Sequence, residues 1–387
     1  VIQLNRRRVT AITLAIALTV PAAASSIPSP RHQSLYRAMT ALLRTGVAGV
    51  QLRAHNNGGD WTASVGVAEL GGPGRPPTGG LFRAGSITKT FVATVVLQLA
   101  REGKVDLDAP VHRHLPELAL DDRATIRTLL QHTSGIFNFT GEFLPNGTGE
   151  PGIPIFGAAW ETDRLRTREP EALVRFALAK PARFEPGTAW SYSNTNYLLL
   201  GMLIERVTGT PYAAQVRQRI LTPLGMVDTS LPGTDLDIPG PHAHGYQSYE
   251  DNGTTITTDV SRQNPSHFGA AGELISTTRD LDAFIAALLG GALLPPDLLA
   301  QMRDTRLAPG YGLGLEVNRL TPHCTAIGHT GGVQGYLTDM FGSPEAGTRV
   351  EISTTLGAVD PGDPLAMGRI ERAERELVTT ALCGAAG

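Results

Sequence analysis

Alternating, strand-like stretches lie near both ends of this chain, and the sequence between them reads as helix and loop. Near the start, Val50 to Arg53 and Trp61 to Glu69 alternate with the period of a strand. Asn56-Asn57-Gly58-Gly59-Asp60 between them supplies a turn, so the pair predicts a hairpin. Near the end, Tyr311 to Val317, Thr325 to Gly328, Gln334 to Phe341 and Arg349 to Thr355 repeat the pattern. Helical runs are Gln33 to Leu43, Thr88 to Glu102, Leu198 to Thr208, Leu281 to Leu289 and about Met367 to Leu382; Gly103, Gly209 and Gly290 stop three of them. This arrangement predicts an α+β fold: one antiparallel sheet assembled from both chain ends and flanked by helices, plus a mostly helical second lobe. The sheet lobe is expected over about 30–80 and 305–387, and the helical lobe over about 104–300. A cleft between lobes is a natural place for a site.

The first residues bear on compartment. Arg6, Arg7 and Arg8 precede an apolar run from Val9 to about Val20, followed by Pro21-Ala22-Ala23-Ala24-Ser25. This predicts a signal peptide over residues 1–24 and a secreted domain over 25–387. The alternative is a retained anchor, but the run is shorter than the roughly 20 residues a spanning helix needs. No membrane span is expected after cleavage. Cys324 and Cys383 are the two cysteines. Pairing is expected of an exported chain, with two separate buried thiols as the alternative. A net charge of −3, with no basic stripe, gives no reason to expect nucleic acid as a partner.

Lysine occurs only at Lys89, Lys104 and Lys180, and Lys89 stands out. Ser86 sits where a loop enters a long helix, and residues three apart on a helix share a face. Lys89 can therefore bring its amine beside the Ser86 hydroxyl, a weak nucleophile until a base takes its proton. Lysine becomes such a base only where burial or nearby positive charge lowers its pKa. A helix start also offers free backbone N–H groups to a developing oxyanion. A plain helix cap beside a surface lysine has the same spacing, so the pair needs company.

Tyr192-Ser193-Asn194 lies in the polar loop Ser191 to Asn196. Its phenol can relay a proton, and its amide can hold Lys89 and a substrate carbonyl; a buried tyrosine beside a turn asparagine reads the same way. His329-Thr330-Gly331-Gly332 is expected between two strands, with glycines that let a substrate backbone approach. His329 would add a polar or positive group opposite Lys89. His132-Thr133-Ser134-Gly135 and His267-Phe268-Gly269 compete for that part. The HTSG segment at 132 is expected to be a helix end packed near the site. His112-Arg113-His114 and His242-Ala243-His244 lack the further ligands of a metal site, and neither metal nor cofactor is expected.

Taken in order, Ser-x-x-Lys, Tyr-x-Asn and His-x-Gly resemble the beta-lactamase and D-alanyl-D-alanine carboxypeptidase superfamily. Within it the pattern is similar to the secreted Streptomyces D-alanyl-D-alanine carboxypeptidases and the class C beta-lactamases. The likeness extends from about Val50 to Cys383. It includes Leu107-Asp108, Leu129 to Gly135, Tyr192 to Tyr197, Gly201 to Glu205, His242 to Tyr246 and Tyr311 to Leu315. The resemblance implies that Ser86 becomes acylated, that Lys89 and Tyr192 share proton transfer, and that Asn194 and His329 complete the polar network. It also implies an oxyanion hole made by the backbone N–H groups of Ser86 and Gly332. Thr330, Gly331 and Glu316 fall at substrate-binding positions.

The implied substrates are peptidoglycan-type D-Ala-D-Ala peptides, with beta-lactams as covalent ligands. Two departures bear on this. Glu316 replaces the arginine that pairs with a substrate carboxylate, and Gly332 replaces a threonine. Arg319 is the nearby substitute cation. The alternatives are a D-stereospecific peptidase, amidase or esterase, a class C-like beta-lactamase, and an inert binder on the same fold.

Overall fold

The computed structural model describes residues 29–143 and 149–384. The signal-peptide segment lies outside the described residues. Helix α1 (Pro30–Leu43) starts with Pro30 behind an Ser29 cap and leads into strand β1 (Val47–Asn56). The turn at Gly58 returns the chain as β2 (Gly59–Gly66). Helix α2 (Ile87–Arg101) and helix α3 (Asn194–Thr208) follow. A hairpin, β3 (Tyr246–Asp251) and β4 (Thr254–Asp259), precedes helix α4 (Thr278–Leu289). The last part contributes β5 (Glu316–Thr321), β6 (Cys324–Val333), β7 (Tyr336–Gly342), β8 (Arg349–Leu356) and helix α5 (Pro364–Cys383).

The main sheet has six strands in the order β2-β1-β8-β7-β6-β5. Every neighbouring pair is antiparallel. The first strands meet the last through the β1–β8 ladder, which aligns Val50 with Thr354 and Ala54 with Val350. Strand β8 is buried along its whole length, as a central strand covered on both faces must be. On one face Leu35, Met39, Leu52, Ile352, Ile370 and Leu377 form a core beneath α1 and α5. A larger core surrounds α2, which is buried from Ile87 to Leu97 and lacks an exposed face there. Such a helix is a central pillar rather than a surface amphipath.

Boundaries moved in informative places. Strand β5 begins at Glu316, not Tyr311. Gly312 and Gly314 fold the preceding segment onto other elements: a Cβ on Gly312 would meet the Met302 carbonyl, and one on Gly314, at φ +77°, would meet Ala93 of α2. Strand β6 runs through the His-Thr-Gly-Gly segment instead of ending before it, with Gly331 opposite Thr338 and Gly332 opposite Leu337. Helix α3 starts at Asn194, so the segment expected as a polar loop holds a helix start. The β3–β4 hairpin was not expected. Cys324 and Cys383 are joined, with Cα atoms 5.8 Å apart, tying the end of α5 to the start of β6. Among the described residues no helix is long and apolar enough to cross a membrane.

Candidate active site

Gly85, at φ +54°, turns the chain into α2. Ser86 occupies the N-cap position, yet its side chain caps nothing. A serine that leaves the helix N–H groups uncapped keeps its hydroxyl for another partner. That partner is Lys89, whose Nζ lies 3.0 Å from Ser86 Oγ. Nζ also donates to the Ala271 carbonyl at 2.6 Å and to Asn194 Oδ1 at 2.8 Å. Those two acceptors use both N–H donors of a neutral amine, leaving its lone pair for the Ser86 O–H. Burial holds Lys89 well below the ordinary lysine range. Desolvation favours the uncharged amine, and the three contacts leave it placed to act as a base toward Ser86.

The start of α3 fixes the second motif. Asn138 Oδ1 accepts the Asn194 N–H at 3.0 Å, and Thr140 Oγ1 accepts from Asn194 Nδ2 at 3.2 Å. Asn194 Oδ1 is thereby aimed at Lys89. The Tyr192 ring stands 4.8 Å from Lys89 Nζ, and its phenol hydrogen-bonds Ser86. Burial raises the Tyr192 pKa despite that bond, so the phenol keeps its proton at neutral pH. Two groups able to pass protons thus converge on Ser86 from separate elements.

His329 and Gly331 stand behind the cleft wall rather than on it. His329 is fully buried, and its Nδ1 donates to the Thr330 carbonyl. Its Nε2 then accepts from the Tyr311 hydroxyl at 2.8 Å. Burial lowers its pKa, so it is a neutral support for Tyr311 and not a positive group facing the substrate. A Cβ on Gly331 would lie 2.1 Å from the Ala84 carbonyl. Its missing side chain makes room for the protein's own loop, correcting the expectation of substrate approach at that glycine. Gly332 does line the cleft, and a Cβ there would meet nothing closer than Leu337 at 3.5 Å. A Cβ on Gly85 would lie 2.7 Å from Gly332 N, so the backbones flanking Ser86 and Gly332 are in close contact.

The cleft holds about 480 Å³ and is lined by Ser86, Trp190, Tyr192, Tyr311, Glu316 and Gly332, among others. Among the described lining residues Glu316 has the one charged side chain. Its Oε1 accepts from the Thr330 N–H at 2.9 Å and the Thr330 hydroxyl at 2.7 Å, while Oε2 accepts from Asn318 at 3.0 Å. Arg319, the candidate replacement cation, alternates away from Glu316 and Asn318 and does not line the cleft.

The chain matches the Beta-lactamase family over residues 34–370. It belongs to the beta-lactamase family. Esterase EstB of Burkholderia gladioli is 32% identical over 253 residues, covering 63% of this chain and 61% of the esterase. Penicillin-binding protein 4* of Bacillus subtilis is 27% identical over 298 residues, covering 73% of this chain and 63% of that protein. The chain thus spans about three fifths of the length of these curated relatives. A D-stereospecific amidohydrolase from Streptomyces sp. superposes with a TM-score of 0.80 at 36% identity, covering 92% of this chain and 100% of that one. D-amino acid amidase from Ochrobactrum anthropi SV3 superposes with a TM-score of 0.75 at 28% identity, covering 90% and 97%.

In this beta-lactamase-family chain the HTSG segment packs near the site as expected, and further residues complete the cleft wall. His132, at φ +60° and fully buried, accepts the Ser193 N–H at 3.2 Å, and its ring lies 4.3 Å from Tyr192. The HTSG segment therefore backs the Tyr192–Asn194 turn. Tyr311 and Trp190 wall the cleft, and Ala271 contributes only a carbonyl, which no sequence motif reports.

Proposed function

We propose that this protein is an amidohydrolase of D-amino-acid amides and short D-amino-acid peptides, working through an acyl-enzyme on Ser86. Lys89 takes the Ser86 proton as the hydroxyl attacks the substrate carbonyl. The backbone N–H groups of Ser86 and Gly332 receive the developing oxyanion. Tyr192, protonated and bonded to Ser86, passes a proton to the departing amine, and water later releases the acyl group with the proton transfers reversed. Beta-lactams would acylate Ser86 by the same attack.

The observation that carries the leaving-group preference is the charge of the cleft. Its charged lining residue is Glu316, and Arg319 lies elsewhere. A free terminal carboxylate would meet a carboxylate instead of a guanidinium. Neutral or cationic leaving sides suit this wall, which favours amidase or D-peptidase action over strict D-Ala-D-Ala carboxypeptidase action. The solved relatives described as a D-stereospecific amidohydrolase and a D-amino acid amidase fit the same reading. Export is part of the proposal, supported by the sequence of residues 6–25 and by the Cys324–Cys383 bridge.

The test compares kcat/KM for acyl-D-Ala-D-Ala as the free acid and as its amide, with D- and L-phenylalanine amide beside them. Preference for the amide and for the D enantiomer is expected. Preference for the free acid would return the protein to the carboxypeptidases. Labelling by a fluorescent penicillin, lost in Ser86→Ala, would identify the nucleophile.

A further inference from the structure

A second, larger cavity of about 530 Å³ lies between the β5–β7 edge of the sheet and α5. Glu316, Asn318, Thr330 and Gly332 line both this cavity and the Ser86 cleft. The shared residues make the two cavities neighbours, with the bare backbone of Gly332 between them. Its inner wall carries Asp339 of β7 and Glu374 of α5, only 5% and 8% exposed. Asp339 Oδ2 and Glu374 Oε1 have no hydrogen-bond partner. Buried carboxylate oxygens without donors are costly, and such groups respond by holding protons. Burial and Glu316 push Asp339 up to about 7; burial, Asp339 and Glu371 push Glu374 well above the carboxylate range. Glu371, Arg372 and Arg375 also line the cavity and are exposed. Four carboxyl side chains, Glu316, Asp339, Glu371 and Glu374, outnumber the two arginines along this lining, which favours a ligand that brings N–H donors and positive charge. Two carboxylates make an incomplete metal cage, whereas an ammonium group satisfies both requirements.

We propose that this cavity receives the ammonium end of a substrate arm beyond the scissile bond, so that leaving amines carrying a second, distal amine are preferred. This rests on the amidohydrolase reading of Ser86. The test measures kcat/KM for three N-substituted amides of D-phenylalanine, with pentyl, 5-aminopentyl and 5-carboxypentyl arms. The aminopentyl amide is expected to be at least tenfold better than the pentyl amide. In an Asp339→Asn/Glu374→Gln double variant, and in each single variant, that ratio should fall towards one. Thermal melting checks that the near-isosteric variants fold. Equal rates for the three arms, preference for the carboxypentyl arm, or an unchanged ratio in the double variant would overturn the proposal. If no amide is hydrolysed, the functional reading fails separately. Calorimetric binding of pentylamine and pentanol to the Ser86→Ala protein then tests the cavity alone. The amine should bind at least tenfold tighter, and the double variant should abolish the difference; equal binding would refute the site.

Discussion

Replacing Asn194 by aspartate tests the claim that Lys89 works as a neutral base. The exchange keeps the shape of the side chain and places a carboxylate oxygen 2.8 Å from Lys89 Nζ, where an amide oxygen now sits. Coulomb's law at an effective dielectric of about 20 gives about 6 kcal/mol for unit charges at that distance. Burying the new carboxylate offsets about half of this. About 3 kcal/mol remains, which raises the pH at which Lys89 loses its proton by about two units. On the proposed mechanism the wild type is active where Lys89 is unprotonated, so its rate should fall as the pH drops through the lowered lysine pKa. In Asn194→Asp that acid limb should move up by about two units. On the former plateau kcat/KM should fall about 100-fold, recovering as the pH is raised. The assay is the pH profile of kcat/KM for D-phenylalanine amide, with beta-lactam acylation rate as an independent readout. An acid limb that stays in place in the variant would refute Lys89 as the titrating base.

Three further perturbations follow from packing and linkage. Gly331→Ala forces a methyl group against the Ala84 carbonyl and should destabilise by about 1–3 kcal/mol in urea unfolding, whereas Gly332→Ala should stay within about 0.5 kcal/mol. Replacing both Cys324 and Cys383 by serine opens a cross-link spanning 59 residues and should cost up to about 4 kcal/mol, read from the same unfolding curves. Glu351 is fully buried with both carboxylate oxygens unpartnered, and burial raises its pKa well above the model-peptide value. The folded state therefore holds a proton that the unfolded state releases as pH rises above about 4.3. Wild-type stability falls through that window, so the melting-temperature advantage of Glu351→Gln should be near zero at pH 4 and grow towards pH 8. An advantage independent of pH would contradict this.

The Ser86–Lys89 pair was legible because helix geometry alone fixes which residues share a face. The meeting of early and late strands was legible for a similar reason, since period-two patterns mark strands wherever they fall. What escaped depended on the tertiary path. Tyr311 read as a strand residue, but the glycines after it let the chain fold against α2, making it part of the cleft wall. His329 read as a polar or positive group opposite Lys89, yet it is buried behind the wall, and Gly331 serves the packing of Ala84. The β3–β4 hairpin was missed because Thr254 to Asp259 is mostly exposed and shows no apolar face to count. Buried carboxylates at Asp339, Glu351 and Glu374 sit in sequences indistinguishable from surface ones, and only the sheet and α5 reveal their isolation.

The β1–β8 ladder also sets an order of events during synthesis. Val47 finds its partner only at Leu356, about three hundred residues later. Until β8 emerges, β1 and β2 form a hairpin with an open edge, and β7 lacks the strand that links it to them. Contacts so distant in sequence form late and slowly. A chain truncated before Arg349 would contain Ser86, Lys89, Tyr192 and Gly332 without the strand that joins the early and late strands in one sheet. The sheet that carries Gly332 is therefore joined to the first strands only once β8 is in place.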